Sequence, residues 1–341
     1  MKNLLVTGGA GFIGSAFVRH ILRTYPNYHV VVFDKLTYAG NLNNLKEVAS
    51  DARYSFVQGD IADRHTVEQA VKDHQIDTIV NFAAESHVDR SILTPDAFIQ
   101  TDVVGTYVLL EVGRQYGITR FHQVSTDEVY GTISSGSFKE GDALEPNSPY
   151  SAAKASGELM ARAYYETYKM DVVITRGSNT FGPYHYPEKI MPLFITNAID
   201  NQPLPVYGDG KQVRDWLYVD DHAMGIDFVL HHGQAGQVYN LGGGNERYNI
   251  DITHQILNRL GKPESLIRYV TDRPGHDRRY SLDCTKLHAL GWKPAHTFES
   301  ALQYTVQWYV DNEWWWRPIK DGEFKEYYQR QYAERLKTAQ A

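Results

Sequence analysis

The run Thr7-Gly8-Gly9-Ala10-Gly11-Phe12-Ile13-Gly14 stands between an apolar, β-forming stretch, Leu4 to Thr7, and an amphipathic stretch of helical length, Phe12 to Arg23. Strand, glycine turn and helix in that order open a parallel sheet whose first loop cradles a dinucleotide. The glycines satisfy G-x-G-x-x-G from Gly9 and G-x-x-G-x-x-G from Gly8. Without side chains at these positions a pyrophosphate reaches the backbone, and the unpaired N–H groups of the helix start face the anion. Asp34 closes the second β-rich run 20 residues after Gly14, where an acid hydrogen-bonds the adenosine ribose and repels a 2′-phosphate. The turn therefore predicts NAD rather than NADP. A glycine turn that merely packs helix on strand is the plain alternative, and strand, helix and acid together weigh against it. Asp60, after the third run, either holds the adenine edge or closes a turn.

The alternation continues. Val30 to Asp34, Tyr54 to Val57, Thr78 to Phe82, Phe121 to Ser125 and Val172 to Thr175 read as strands, while Arg64 to Asp73, Pro95 to Tyr116 and Pro149 to Lys169 carry helical periodicity. This pattern predicts an α/β fold built on a doubly wound parallel sheet. Beyond Gly182 the prolines at 183, 187, 192, 203 and 205, with Gly208 and Gly210, break the chain into short pieces. A dinucleotide-binding domain over 1–182 and a smaller, mainly substrate-binding α/β lobe over 183–341 follow, with segments such as Asp220 to Leu230 returning to the first. The polar stretch from Lys320 reads as a closing helix or a frayed end.

Net charge of −7 argues against a nucleic-acid surface, so an anionic ligand must meet local cations. No stretch is apolar for the roughly 20 residues that span a bilayer. The start, Met1-Lys2-Asn3, has no secretory leader pattern, which predicts a cytoplasmic protein. The single cysteine, Cys284, reads as a small buried thiol, and no metal site is expected.

Tyr150 and Lys154 lie four residues apart just after Pro149, on one helix face. A tyrosine beside an ammonium can serve as a base if its pKa of ~10 falls by roughly three units, about 4 kcal/mol of preferential phenolate stabilisation, with Lys154 and a nicotinamide ring as sources. In a chain with 24 tyrosines the pair means little by itself; its place after the fifth strand gives it weight. That strand runs into Ser125-Thr126-Asp127-Glu128-Val129-Tyr130-Gly131, at the sheet edge where ligands sit. The two acids read either as an acid and base, one kept protonated by its surroundings, or as a solvated acidic turn.

TGGAGFIG and YSAAK, together with AAESHVDRSI (Ala83 to Ile92), STDEVYG, GPYHYPEK (Gly182 to Lys189), VYGDGKQVRDWLYVDD (Val206 to Asp221) and DRPGHDRRY (Asp272 to Tyr280), resemble the nucleotide-sugar dehydratases of the extended short-chain dehydrogenase/reductase family over most of the chain. Epimerases of similar sequence lack the Asp127-Glu128 pair. The resemblance implies a Rossmann-type domain, resident NAD, dTDP-glucose as substrate, a homodimer built on the helices from Pro95 and Pro149, and a place in deoxysugar (rhamnose) nucleotide synthesis. It implies that Tyr150, with Lys154, removes the C4 hydroxyl proton, that Glu128 takes the C5 proton, that Asp127 protonates the departing C6 hydroxyl, and that Thr126 binds the C4 oxygen.

Cofactor contacts are implied from Gly8, Gly11, Phe12, Ile13, Gly14, Asp34, Lys35, Thr37, Asp60, Ile61, Phe82, Ala83, Ala84, Ser86, Thr101, Tyr150 and Lys154. Substrate contacts are implied from Ser86, Thr126, Asn179, Lys189, Pro205, Tyr207, Arg214, Asn249, Arg273, His276 and Tyr280, with Arg214 anchoring the diphosphate. Thr180 and Phe181 depart from the Asn-Tyr usual in the family. Trp314-Trp315-Trp316 reads as packing rather than a sugar platform.

Overall fold

The computed structural model describes residues 1–272, 275–337 and 339; the implied substrate contact Arg273 lies outside them. β1 (Asn3–Thr7), β2 (His29–Asp34), β3 (Tyr54–Gln58), β4 (Thr78–Asn81), β5 (Arg120–Thr126) and β6 (Val172–Gly177) coincide within a residue or two with the six β-rich runs. Shorter strands follow: β7 (Asn179–Phe181), β8 (Leu204–Tyr207), β9 (Val213–Tyr218), β10 (Val238–Leu241), β11 (Glu246–Tyr248) and β12 (Ile267–Val270).

A seven-stranded sheet runs β10-β6-β5-β4-β1-β2-β3, and every neighbouring pair in it is parallel. The alternating side chains of the runs separate onto its two faces: Leu4, Val6, Val30 and Val32 join one core, Leu5, Val31, Phe33 and Ile79 the other. Both faces are covered, as an all-parallel sheet requires. The strand order reverses between β1 and β4, and the chain opens a crevice at the carboxyl ends of these strands. The remaining strands form a three-stranded sheet, β11-β9-β7, and the pair β12-β8.

The expected helix from Pro95 to Tyr116 is divided. Asp96–Phe98 is α-helical, Ile99–Gly105 forms a π-helical turn, and Thr106–Tyr116 is α-helical again. Gly105 faces Ile61, whose side chain occupies the space a Cβ would take. A separate short helix, Val88–Leu93, precedes it, with the His87 ring accepting from the Asp89 N–H. At the end of the chain Phe324, Tyr327 and Tyr332 of helix Glu323–Lys337 are buried, so this stretch is a closing helix. Trp315 and Trp316 are buried too, their indole N–H groups donating to Asn44 Oδ1 and the Tyr309 carbonyl; Trp316 packs in the interior, Trp315 also borders the main cavity, and Trp314 is exposed. Cys284 is buried. Among the described residues no helix is long and apolar enough to cross a membrane, and no group of His, Cys, Asp or Glu is arranged to hold a metal.

Candidate active site

The glycine turn folds as it does because two of its positions have no room for a side chain. Gly8 has φ +65°, and a Cβ there would lie 2.6 Å from the Ala83 nitrogen; at Gly14 it would lie 2.3 Å from the Gly8 carbonyl oxygen. Gly11 differs: its backbone is extended, and a Cβ would approach only the Gly8 oxygen, at 3.1 Å. Gly11 begins helix Phe12–Thr24, which has no side-chain cap. The amides of its first turn therefore border a cavity of about 640 Å³ walled by Gly11, Phe12, Ile13 and Gly14. That is a cradle for an anion at the positive end of a helix.

Every implied cofactor residue lines this one cavity, from Gly8 through Asp34, Lys35, Thr37, Asp60, Ile61, Phe82, Ala83, Ala84, Ser86 and Thr101 to Tyr150 and Lys154. Asp34 accepts from the Ala10 and Leu36 N–H groups, which fixes the turn; burial pushes its carboxyl up and these two donors pull it back. Asp60 accepts from the Ala62 N–H and pairs with Lys35 at 2.7 Å, so it both closes a turn and faces the cavity.

Helix Pro149–Tyr168 begins with a capping box, Ser148 and Ser151 exchanging bonds, and with Pro149 in its first turn. That start fixes Tyr150 and Lys154 on the cavity side. Lys154 Nζ donates to the Val124 carbonyl at 2.9 Å and lies 3.7 Å from Asp102 Oδ1. The Tyr150 hydroxyl departs from expectation. Burial, then Glu128 and Asp102, hold it well above the ordinary tyrosine range, opposed by a hydrogen bond with Thr126. Burial foremost, with these acids, favours the protonated phenol.

β5 ends at Thr126 and delivers Asp127 and Glu128 into the same cavity on a single helical turn, Asp127–Tyr130, capped by the Thr126 hydroxyl. Asp127 is only 2% exposed. Burial first, then Glu128 and Asp215, drive its carboxyl far above the usual carboxylate range, against Arg214. These surroundings favour its protonated form. Its Oδ2, with Asn179 Oδ1, Ser178 Oγ and His222 Nε2, all from residues of the cavity wall, is buried without a hydrogen-bond partner among the described residues. Such groups need a polar ligand.

Of the implied substrate residues, Ser86, Thr126, Asn179 and Lys189 line the cavity, Lys189 donating to the Ser86 carbonyl. Pro205, Tyr207, Arg214, Asn249, His276 and Tyr280 are not in that wall. Tyr280 joins it from behind: its hydroxyl lies 3.5 Å from Glu128 Oε2 and donates to Asp277 at 2.5 Å, while the Arg214 guanidinium stacks on its ring. The Tyr207 hydroxyl is engaged by Asp89, Gln331 and Arg335, and its ring meets that of His276. Thr180 bonds His222 and lines the cavity with it, whereas Phe181 packs on Trp216, Tyr218 and Phe298 in the interior.

Sequence reasoning passes over Asp102, Glu188 and His222. Glu188 is buried, pairs with Arg90 and accepts from Tyr38. The sequence carries little signal for Asp102, which has polar neighbours at Gln100 and Thr101; only the fold shows it buried.

Residues 5–305 match the family model described as GDP-mannose 4,6 dehydratase. The fold and this match define an NAD-type nucleotide-sugar dehydratase of the extended short-chain dehydrogenase/reductase class. A dTDP-glucose 4,6-dehydratase of Xanthomonas campestris pv. campestris is 51% identical over 95% of this chain and 98% of its own. The structure of a dTDP-glucose 4,6-dehydratase from Streptomyces venezuelae with NAD bound superposes with TM-score 0.91 at 51% identity, covering 93% of this chain and all of that one. That from Bacillus anthracis in complex with NAD gives 0.88 at 50% identity, covering 94% and 100%. The chain belongs to the dTDP-glucose 4,6-dehydratase family.

Proposed function

We propose that the chain converts dTDP-glucose to dTDP-4-dehydro-6-deoxyglucose and water. The observation that carries the reading is the adjacent acid pair: Asp127, buried and with its carboxyl pushed well above the usual range, beside Glu128, in one cavity with Tyr150 and Lys154. The cradle at Gly11 and the acid at Asp34 fit NAD. Held there, NAD would supply acceptance of a hydride from C4, which makes it a ketone, and donation of that hydride to C6, so no net oxidation results. Tyr150 accepts the C4 hydroxyl proton; Lys154 and the positive charge that bound NAD would bring oppose the burial and the nearby acids that raise its pKa. Thr126 hydrogen-bonds the C4 oxygen. The ketone acidifies C5–H, Glu128 removes that proton, and Asp127 gives its proton to the departing C6 hydroxyl, which leaves as water. A proton then returns to C5.

Residues 1–182 form the NAD-binding part in this reading, joined by later segments, and 183–341 mainly the nucleotide-sugar part. Leu93, Ile99, Tyr107, Leu159 and Tyr168 are exposed on the helices on either side of Pro95 and on helix Pro149–Tyr168, which supports a homodimer through these helices. A 4-epimerase has no use for the acid pair. The test is Glu128→Gln in a single turnover with dTDP-glucose: NADH absorbance rises and persists and no water is lost. Normal dehydration by this variant removes Glu128 from the mechanism.

A further inference from the structure

We propose that Asp102 is a positioning residue that sets the pH at which Tyr150 works as a base, acting through Lys154. The inference rests on the reading of Tyr150 as that base. Asp102 and Lys154 are both almost wholly buried, and their Oδ1 and Nζ lie 3.7 Å apart. The approach is built into two helices. Asp102 sits in the π-helical turn Ile99–Gly105, a local widening that proteins retain where a side chain must be re-aimed. On the facing helix Pro149–Tyr168, a Cβ at Gly157 would lie 2.6 Å from the Asp102 carbonyl oxygen, so only glycine lets the two backbones close. Asp102 Oδ2 accepts the Glu85 N–H from the loop after β4, which fixes the carboxylate.

The charge consequence follows. Lys154 has one ammonium to share between the Val124 carbonyl, Asp102 and a phenolate at Tyr150. An ionised Asp102 offsets that ammonium and repels the phenolate directly. The charged groups facing the pair are Lys154 and Glu85 at Asp102, and Glu128 and Asp127 with Asp102 at Tyr150. Burial drives the Asp102 carboxyl up to about 7 despite Lys154, so its charge is gained over the neutral range, where a base must operate.

Asp102→Asn keeps the acceptor for Glu85 and removes the charge. The experiment is kcat/KM for dehydration of dTDP-glucose across pH, in wild type and variant, with folding and NAD affinity checked alongside. The acidic limb should move to lower pH by about half to one unit and follow a single ionisation, the size expected for removing one nearby charge at a partly buried site. Limbs that superimpose, whatever the fall in kcat, overturn the proposal and leave Asp102 a structural role. Should Asp102→Asn not fold, Asp102→Ser carries the same comparison. A wild type that does not dehydrate dTDP-glucose at all contradicts the functional reading itself, which separates the two failures.

Discussion

Gly11→Ala isolates ligand binding from folding. Gly11 has φ −76° and ψ −179°, a region open to any residue, and its only close neighbour would be the Gly8 oxygen at 3.1 Å. Replacing a glycine cap by alanine costs a few tenths to about 1 kcal/mol. The added methyl group, however, sits at the N-cap of the helix whose first residues, Phe12 and Ile13, line the cavity, and is expected to hinder a pyrophosphate there. Losing one charge-assisted hydrogen bond costs about 1.5–3 kcal/mol, or roughly ten- to a hundredfold in affinity. Gly8→Ala is the contrast, since φ +65° and a 2.6 Å approach to Ala83 combine left-handed strain with overpacking, about 2–4 kcal/mol. Calorimetric titration of cofactor-stripped protein with NAD, beside chemical denaturation, reads both quantities. Gly11→Ala should unfold nearly as wild type and bind NAD ten- to a hundredfold more weakly. Wild-type affinity in Gly11→Ala would refute the assignment of the cradle, and a loss of stability as large as that of Gly8→Ala would refute the division of roles within the turn.

Asp127→Asn should lower the dehydration rate by about a hundred- to ten-thousandfold, the range for losing a general acid, while single-turnover reduction of NAD persists. Because the folded-state pKa of Asp127 is raised by burial and by Glu128, wild-type stability falls as pH rises from ~3.9 through that raised value, so Asp127→Asn should be the more stable protein at neutral pH in urea titrations. Glu158→Gln leaves the buried Arg176 guanidinium without its bidentate carboxylate and should cost about 3–5 kcal/mol by the same measurement; a cost below 1 kcal/mol would show the pair is not needed. Although burial opposes both shifts, hydrogen bonds hold Asp227 down to about 2 and its partner His231 above the ordinary histidine value. The stability that His231 contributes should be complete below pH ~6.5 and vanish as pH rises through its raised value, a dependence that His231→Ala should flatten.

The parallel sheet was legible because its main strands are β-rich runs, all but the edge strand β3 largely buried, punctuated by helices of the right period. β10 was not: Val238-Tyr239-Asn240-Leu241 is too short to stand out, and only pairing with β6 makes it the seventh strand. The π-helical turn escapes any reading of periodicity, since its cause is contact between Gly105 and Ile61 and between Gly157 and Asp102, residues far apart in sequence. The glycine turn and Asp34 are written in local spacing, whereas the other cofactor residues and the role of the acid pair at the end of β5 come from the family resemblance. The state of each acid is written in neither, because what raises the Asp127 pKa is burial, then Glu128 and Asp215 from β9. For the same reason the expected lowering of the Tyr150 pKa does not arise from this chain's side chains alone.

The account rests most directly on the mass of one product. Wild-type protein incubated with NAD and dTDP-glucose should yield a nucleotide sugar lighter by one water, with no NADH accumulating in solution during turnover. A product of unchanged mass would contradict it.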